Sequence, residues 1–350
     1  MWSQRLKHQW QNSLRNILIA RQYQRVRWVA SGGILASLGG ASWYYHQYWH
    51  EVELSPDYFT KYRVSHNAKL DSEHFLMELT PLKPQRVNLW SATTSNKLWS
   101  VEVKQPEIMV VRNYTPLPLK VTTDKKVQVL PDGKFESGKL LFYLKKYRYG
   151  EVARWLSELP EGHIVEVRGP FVDFELPPFE EKRDRSFLWD DNAKLQSEQF
   201  LQQPYDIAAF TAGTGIAPIM QLLLKENPFP GRILMFHSCH ADSDLGPLRH
   251  LLDKLQDYHR AKLYLFESQR ANDLRKISDE VLKLIPSPMA YHAGPFVGLN
   301  SSISPILSLV CGPDSYITTV SGVKYDLSQG PIEGLLGQKG WNNSNVYKLS

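Results

Sequence analysis

Cysteine is scarce in this chain, with only Cys239 and Cys311 among 350 residues. The two are far apart in the sequence and form no Cys-x-x-Cys pair. This usage excludes a disulfide framework and a thiol-exchange module. The sequence also lacks the Gly-x-Ser-x-Gly, His-Glu-x-x-His and P-loop motifs, so it gives no support for hydrolase chemistry.

Acidic residues are missing from the first 50 positions, which contain six basic ones. The other 300 residues hold 35 basic and all 36 acidic groups, so the net charge of +5 is a property of the N-terminus. The rest of the chain has no basic stripe, which argues against nucleic-acid binding. Residues 1–27 are rich in arginine and free of acid, a composition typical of a mitochondrial presequence or transit peptide.

Charged residues are also missing between Arg27 and Glu51, where residues 28–49 read WVASGGILASLGGASWYYHQYW. As a helix this run would span ~33 Å, enough for a hydrocarbon core of ~30 Å. Its aromatic ends are typical of a membrane interface. We predict a transmembrane helix over 28–50, with a buried soluble helix as the alternative. The positive flank would leave residues 51–350 in the intermembrane space.

The body of the chain changes its hydrophobic pattern near residue 205. Up to residue 174, short alternating stretches such as HFLMELTP are broken by Pro, Gly, Asp and Asn, which predicts an antiparallel β-barrel or sandwich over 51–174. Over 205–350, apolar runs such as YDIAAFTAG alternate with helical patterns such as APIMQLLLKE, which predicts a doubly wound parallel sheet. Residues 175–204 are rich in proline and charge. They predict an exposed linker or insertion, with partner docking as the alternative.

Three short motifs carry residues suited to a nucleotide. Residues 112–115 read RNYT near the end of a predicted strand. Arg112 and Tyr114 share a face there, able to hold a phosphate and stack on a flat ring, and a solvated edge strand is the alternative. The sequence TAGTGIAP at 211–218 lies between a strand and a helix, where glycines bring backbone N–H groups close to a phosphate. The third motif, LVCGPDSYI at 309–317, places small residues at the carboxyl end of a strand, where parallel sheets bind ligands.

A fourth stretch, FHSCHAD at 236–242, gathers His237, Cys239 and His240. Such residues bind metals or haem iron, but no second cluster at metal-ligand spacing accompanies them. We therefore predict no metal site and interpret the stretch as a polar loop lining the nucleotide site. Cys311 in the third motif either lines that site or is a small buried apolar residue.

Taken in order, these motifs resemble those of the ferredoxin–NADP reductase superfamily, and more closely those of its cytochrome-b5 reductase branch. The resemblance covers roughly residues 57–350. It implies a flavoprotein, an FAD-dependent NAD(P)H oxidoreductase, in which hydride passes from NAD(P)H to flavin N5 and electrons leave singly. The motifs do not distinguish NADH from NADPH.

The resemblance implies a flavin site in the first domain. Arg112 would hold an FAD phosphate, Tyr114 would pack on the isoalloxazine, and Thr115 would hydrogen-bond near flavin N5. The residues implied to surround the FAD phosphates are Tyr143, Lys145, Gly150, Glu151, Val152 and Ala153. Ala153 stands where the family usually has a serine, so a side-chain phosphate contact is missing.

The resemblance also implies a site for NAD(P)H in the second domain. The residues of its pyrophosphate turn would be Gly213, Thr214, Gly215 and Pro218. Cys311, with Gly312 and Pro313, would position the nicotinamide ring, which makes Thr115 and Cys311 the residues implied to be catalytic. Ala217 replaces a threonine that is frequent near the nicotinamide.

The whole layout resembles the fungal mitochondrial FAD-dependent redox factors for haem attachment to cytochrome c. This implies a single-pass protein of the mitochondrial inner membrane that passes electrons to haem iron or its carrier. Its partners would be haem, cytochrome c haem lyase and apocytochrome c. Two alternatives stay open. One is a membrane-anchored NADH–cytochrome-b5 reductase with a protein haem acceptor, and the other is a non-catalytic assembly factor, which Ala153, Ala217 and the charged segment 175–204 would suit.

Overall fold

Two β-sheets organise the computed structural model, which describes residues 37, 39–43, 53–93, 95–134, 136–148, 150–178, 184–190, 200–201, 203–226, 228–270, 279–288, 305–325 and 328–349. The chain divides into Met1–Glu53 and Leu54–Ser350. In the first unit, residues 39–43 are helical and exposed. Both sheets belong to the second unit, so this unit contains every site discussed below.

The predicted presequence and the predicted transmembrane helix both belong to the first unit. The presequence-like segment 1–27 lies outside the described residues, and so does most of the predicted transmembrane helix over 28–50. Within the described ranges given above, the structure contains no helix long and apolar enough to cross a membrane.

The first sheet is antiparallel and has six strands in the spatial order β4-β3-β8-β1-β2-β7. The antiparallel strands and the helices between them are β1 (Thr60–Lys69), β2 (His74–Pro81), α1 (Leu89–Ala92), β3 (Lys97–Gln105), β4 (Val110–Tyr114), β5 (Leu119–Val121), β6 (Val127–Val129), β7 (Leu140–Lys145), α2 (Glu151–Glu158) and β8 (Ile164–Glu175). Strands β5 and β6 form a separate hairpin. Large side chains such as Tyr62, Phe75 and Trp99 fill the interior of the six-stranded sheet. Because β4 and β7 are its edges, the predicted barrel is open between them.

The second sheet is parallel, in the order β11-β10-β9-β12-β13. The elements of this half are β9 (Tyr205–Ala212), α3 (Ala217–Leu224), β10 (Arg232–Cys239), α4 (Leu248–Asp257), β11 (Ala261–Glu267), α5 (Asp279–Leu284), β12 (Leu307–Cys311), α6 (Asp314–Ser321), α7 (Gly334–Gln338) and β13 (Val346–Lys348). Strand β9 is buried along seven of its eight residues, as its apolar run predicts for a strand covered on both faces. An antiparallel domain followed by a doubly wound parallel sheet is thus confirmed. The predicted domain boundaries stay predictions.

The order of the parallel sheet also locates a binding edge. The chain runs outward from β9 through β10 to β11, then returns to β9's other side as β12. Ligands of such sheets bind outside the carboxyl ends of the strands at this reversal point. Here those ends are Ala212 on β9 and Cys311 on β12, which lie within two of the motifs identified in the sequence.

The segment predicted as an exposed linker, residues 175–204, differs from that prediction where it is described. A short 3₁₀ turn, Ser186–Leu188, buries Phe187 and Leu188, and the Phe187 ring stacks on Tyr258 of the parallel half at 3.9 Å between centroids. Arg185 is buried and pairs with Asp132. The prediction of an exposed linker rested on the charged residues of this segment. It did not consider apolar residues such as Phe187, which pack against the parallel half.

A shared hydrophobic core joins the two sheets. Leu98 and Leu141 of the antiparallel sheet lie in the same buried cluster as Ile207 and Leu309 of the parallel sheet. Burial of such side chains contributes roughly 2 kcal/mol each. The two halves of the second unit therefore stabilise each other and do not merely touch.

A buried amide reinforces this junction. Gln221 of α3 is fully buried; its side chain accepts a hydrogen bond from the Trp99 backbone N–H at 3.0 Å and donates to the carbonyl oxygens of Trp99 (2.9 Å) and Pro116 (2.8 Å). The pairing of β4 with β3 ends where Tyr114 pairs with Val101. Beyond that point, the Gln221 amide forms the hydrogen bonds to the Trp99 backbone that a neighbouring strand would otherwise form. It thereby fixes α3 against the segment that follows β4.

Candidate functional site

A cavity of about 680 Å³ opens between the edge strands β4 and β7, the start of α2, and the carboxyl ends of β9 and β12. It brings together residues as far apart in the sequence as Arg112 and Asp314. The predicted site residues that line it are Arg112, Tyr114, Thr115, Tyr143, Lys145, Gly150, Glu151, Val152, Ala153, Thr214, Gly215, Pro218, Cys311, Gly312 and Pro313. Gly213 alone of the predicted set is not among the lining residues. The individual roles assigned to them stay predictions.

Sequence reasoning missed several residues of this cavity. The additional lining residues are Asn113, Leu144, Tyr147 and Asp314, together with Ala217, which was noted only as a departure from the family. Each lies within two positions of a predicted residue. Proximity in the sequence was therefore the signal that could have found them.

The end of β4 supplies a cation and an aromatic ring. The Arg112 guanidinium is exposed, donates to the Val111 carbonyl at 2.9 Å, and forms no ion pair with any described residue. Burial raises the pKa of the Tyr114 hydroxyl, although the Arg112 charge opposes the rise. Thr115 follows directly beyond the strand end. This edge thus presents a neutral ring, a hydroxyl and an uncompensated positive charge, which suits a phosphate attached to a flat group.

Helix α2 points its N-terminus at the same cavity. Gly150 is the N-cap residue and makes no side-chain capping bond, so the N–H groups of the first turn have no side-chain partner at that position. Val152 and Ala153 are buried and anchor the helix, while the Glu151 side chain is exposed. Free N–H groups and the positive end of the helix dipole favour an anion such as a pyrophosphate.

Strand β7 forms the wall between these two features. The Tyr143 hydroxyl donates to the Asp244 carbonyl at 2.7 Å, which links the two halves. Burial raises the pKa of Tyr143, and the Asp244 charge adds to the rise. Lys145 pairs with Glu73 at 2.8 Å, and the hydrogen bond from Lys145 lowers the pKa of the Glu73 carboxyl. The wall therefore combines a neutral phenol with a lysine whose partner lies at the surface.

The glycine turns after β9 and β12 touch each other. A Cβ on Gly215 would lie 2.5 Å from the Cys311 carbonyl oxygen, and one on Gly312 would lie 3.0 Å from the Ala212 Cβ. Only glycine permits this approach at Gly215, because no side-chain carbon tolerates a contact of that length. Burial raises the pKa of the Cys311 thiol to about 12, so the sulfur is a neutral thiol at physiological pH and not a nucleophile.

These features fit a bound dinucleotide with a flat ring. The exposed guanidinium and the α2 N-terminus match the phosphates of FAD, and Tyr114 offers a face for its ring system. The turn at Gly215, which packs directly on Cys311, gives a second nucleotide a glycine backbone to approach closely. Two departures from the family's donor set, Ala153 and Ala217, remove hydroxyl groups but leave these backbone and charged donors in place.

The histidine- and cysteine-containing stretch does not form the polar loop predicted for it. His237 and Cys239 are buried within β10, and neither lines the cavity. The His237 Nδ1 lies 2.8 Å from the Thr211 hydroxyl, and burial lowers the pKa of His237 to about 3. His240 follows the strand, with its Nδ1 3.3 Å from the Ser268 hydroxyl. The pattern belongs to a buried strand because the apolar run of β10 continues through it.

One group within the described residues has the composition of a metal site. Donor atoms of Asp71, His74 and Asp244 lie within 4.8 Å of one another. However, the Asp71 carboxylate bonds the His74 Nδ1 at 2.7 Å, and the Asp244 carboxylate accepts the backbone N–H groups of His240 and Ala241. These bonds account for the geometry, and the expectation of no metal stays a prediction.

A partly buried carboxyl group, that of Asp173, lies near Cys311. Burial raises the pKa of Asp173 on β8 to about 6, against a hydrogen bond from Ser100 (3.0 Å) and the positive charge of Lys324. In the unfolded chain an aspartate titrates near pH ~4. The folded state therefore holds the Asp173 proton more tightly than the unfolded chain does. The stabilisation from this protonated carboxyl group is fully present below pH ~4 and is lost as the pH rises through about 6.

Replacing Asp173 with asparagine is expected to remove this contribution to the pH dependence. Between pH 4 and pH 7 the wild type should lose on the order of 2 kcal/mol of unfolding free energy that the variant keeps. Urea unfolding at several pH values measures the difference. Asp257→Asn changes an exposed carboxylate and serves as the control. A variant with the wild-type pH dependence would refute the assignment.

Known proteins are similar to this one over almost the whole chain. The chain is 51% identical over 334 residues to "Cytochrome c mitochondrial import factor CYC2" of Saccharomyces cerevisiae, covering 91% of each. It is 24% identical over 329 residues to an FAD-binding protein of Schizosaccharomyces pombe, covering 93% of the chain and 98% of that protein. With NADH-cytochrome b5 reductase 2 of Meyerozyma guilliermondii it shares 26% over 300 residues, 83% of each.

A solved structure supports the fold. The cytochrome P450 reductase GcoB of Amycolatopsis matches with a TM-score of 0.50 at 16% identity, covering 83% of this chain and 69% of that one. At this identity the match concerns the fold alone. No known family model matches the sequence.

Proposed function

Because the chain belongs to the family of the yeast cytochrome c mitochondrial import factor CYC2, we propose that it is an FAD-dependent NAD(P)H oxidoreductase acting in cytochrome c maturation in mitochondria. The observation that carries the proposal is the single cavity that joins the Arg112 edge, the α2 N-terminus and the turns at Gly215 and Cys311. FAD is the flavin, and NADH or NADPH is the electron donor. Relatives named as an FAD-binding protein and as an NADH-cytochrome b5 reductase support this assignment.

In this proposal the protein binds and orients, and the flavin supplies the redox chemistry when bound, by accepting a hydride and releasing electrons singly. Arg112 and the N–H groups after Gly150 would hold the FAD phosphates, and Tyr114 would pack on the flavin ring. Thr115 would supply a hydroxyl donor to the bound flavin. Cys311, as a neutral thiol, contributes packing and shape beside the nicotinamide, so no general acid or base is required.

The acceptor in this proposal is haem iron or its carrier. Its reduction would keep the iron ready for attachment to apocytochrome c, and cytochrome c haem lyase and apocytochrome c are the proposed partners. The basic, acid-free segment 1–27 and the uncharged run 28–50 support a place in the inner membrane, with a single membrane span and the body in the intermembrane space. The name of the yeast relative supports a mitochondrial location.

Anaerobic reduction of the purified full-length protein tests the proposal. We expect a yellow protein whose flavin absorbance is bleached by NADH or NADPH and restored by ferric haem, which becomes ferrous. Bound flavin that neither nucleotide reduces would reject the reductase and favour the non-catalytic assembly factor. Reduction of ferric cytochrome b5 with none of free haem would instead favour the cytochrome-b5 reductase alternative.

A further inference from the structure

Tyr147 lies where the two halves of the cavity meet. It follows β7 in the short connection to α2, lines the cavity, and is 42% exposed. A Cβ on Gly213 would lie 3.9 Å from its hydroxyl oxygen, and one on Gly150 would lie 3.3 Å from its Cβ. One side chain thus extends from the N-cap of α2 to the turn after β9.

The backbone of Tyr147 is fixed, whereas its hydroxyl is not used. Its carbonyl accepts the Gly150 N–H at 3.0 Å, so the start of the side chain is held against the α2 N-cap. The Lys145 ammonium lies 5.7 Å from the centre of the ring. In the part of the chain that the structure describes, the Tyr147 hydroxyl makes no hydrogen bond. A side chain that is anchored at its backbone and has a free donor at its tip is arranged to meet a ligand.

The chemistry around the hydroxyl favours an anionic ligand. The glycines at 213 and 215 leave the turn opposite the hydroxyl without side chains at those positions, and the Lys145 ammonium, paired with Glu73 at 2.8 Å, lies 5.7 Å from the ring centre. Gly213 has a positive φ of 54° and no side chain, so a ligand can approach the turn closely. A phenol donates well to a phosphate oxygen, and such charge-assisted bonds are among the stronger ones.

We propose that Tyr147 binds the pyrophosphate of NAD(P)H: its hydroxyl donates a hydrogen bond to that group from the flavin-binding half while the glycine turn holds it from the other half. This inference rests on the function proposed above.

The same hydroxyl chemistry would suit the pyrophosphate of FAD, since Gly150 is also adjacent. The position of the hydroxyl decides between the two. The Cβ of Tyr147 is beside Gly150, but its oxygen is beside Gly213. The donor end therefore faces the nicotinamide nucleotide, and the two sources are separated by measuring both affinities.

The test uses Tyr147→Phe in the full-length flavin-loaded protein, because this change removes only the hydroxyl. Titration with NAD⁺ or NADP⁺, followed by flavin difference spectra, should give a Kd about tenfold higher than that of the wild type. Retention of FAD on dialysis should not change. Tyr325→Phe changes an exposed tyrosine outside the cavity and should leave both quantities as they are.

Three results would overturn the assignment. These are an unchanged nucleotide Kd, a lower one, and a loss of FAD retention with the nucleotide Kd preserved, which would give the hydroxyl to FAD. Failure of the proposed function has a different signature. If NAD⁺ or NADP⁺ binds more weakly to the Phe variant than to the wild type, but neither NADH nor NADPH bleaches the wild-type flavin, the reductase proposal fails while the role of Tyr147 stands.

Discussion

Gly215→Ala is expected to weaken NAD(P)H binding by about 100-fold, since a methyl group forced into a packed contact costs about 3 kcal/mol. The added carbon would lie 2.5 Å from the Cys311 carbonyl oxygen and 2.9 Å from the Gly312 backbone nitrogen. The two turns must separate to admit it, and the nicotinamide site between them loses its shape. FAD retention should persist, because the groups proposed to hold FAD, Arg112 and the α2 N-terminus, belong to the antiparallel half.

Nucleotide titration measures the expected loss of NAD(P)H affinity, and flavin content measures the expected retention of FAD. Gly231→Ala is a matched control, since its Cβ would lie 2.4 Å from the Pro204 carbonyl oxygen at a position outside the cavity. It should lower thermal stability without changing the nucleotide affinity of the folded protein. If both variants lose stability equally and neither loses affinity, the contact at Gly215 is structural only.

Gln221→Leu is expected to lower the free energy of unfolding by about 4 kcal/mol. Leucine has a similar size but makes none of the three hydrogen bonds, so the Trp99 N–H, the Trp99 carbonyl and the Pro116 carbonyl would remain buried without partners. Each such group costs roughly 1–3 kcal/mol. Because Pro116 follows Thr115, we also expect weaker FAD retention.

Urea unfolding of the variant provides the measurement. Gln256→Leu is the control, because the Gln256 side chain accepts one hydrogen bond, from the Leu263 N–H at 3.1 Å, in a half-exposed position. Its loss should be about 1 kcal/mol. Equal losses in the two variants would show that the buried amide at Gln221 does not bridge the halves.

Much of the fold could be predicted because each element has a local pattern. The alternation in HFLMELTP and the apolar run in YDIAAFTAG specify β2 and β9 from a few residues each. The motifs around Arg112, Gly150, Gly215 and Cys311 were also visible. They meet in one cavity for two reasons. The strand order of the parallel sheet reverses between β9 and β12, and the antiparallel sheet is open between its edge strands β4 and β7.

What could not be predicted depends on contacts between distant residues. Gln221 is an ordinary helical residue in the sequence, and only the packing of α3 on β3 gives its amide three partners. The stretch from His237 to His240 has the composition of a loop or a metal site, yet the sheet buries its first residues. Tyr147 has no motif of its own, and its importance comes from the glycine opposite its hydroxyl.

The core shared by Leu98, Leu141, Ile207 and Leu309 limits how this protein can be taken apart. A cut near residue 203 would expose apolar surface on both fragments, so neither half is a module that recombination or grafting could move freely. The same shared core opposes a separation of the two halves. Under the function proposed above, we therefore expect nucleotide exchange to depend on side chains at the mouth of the cavity and not on a hinge between the halves.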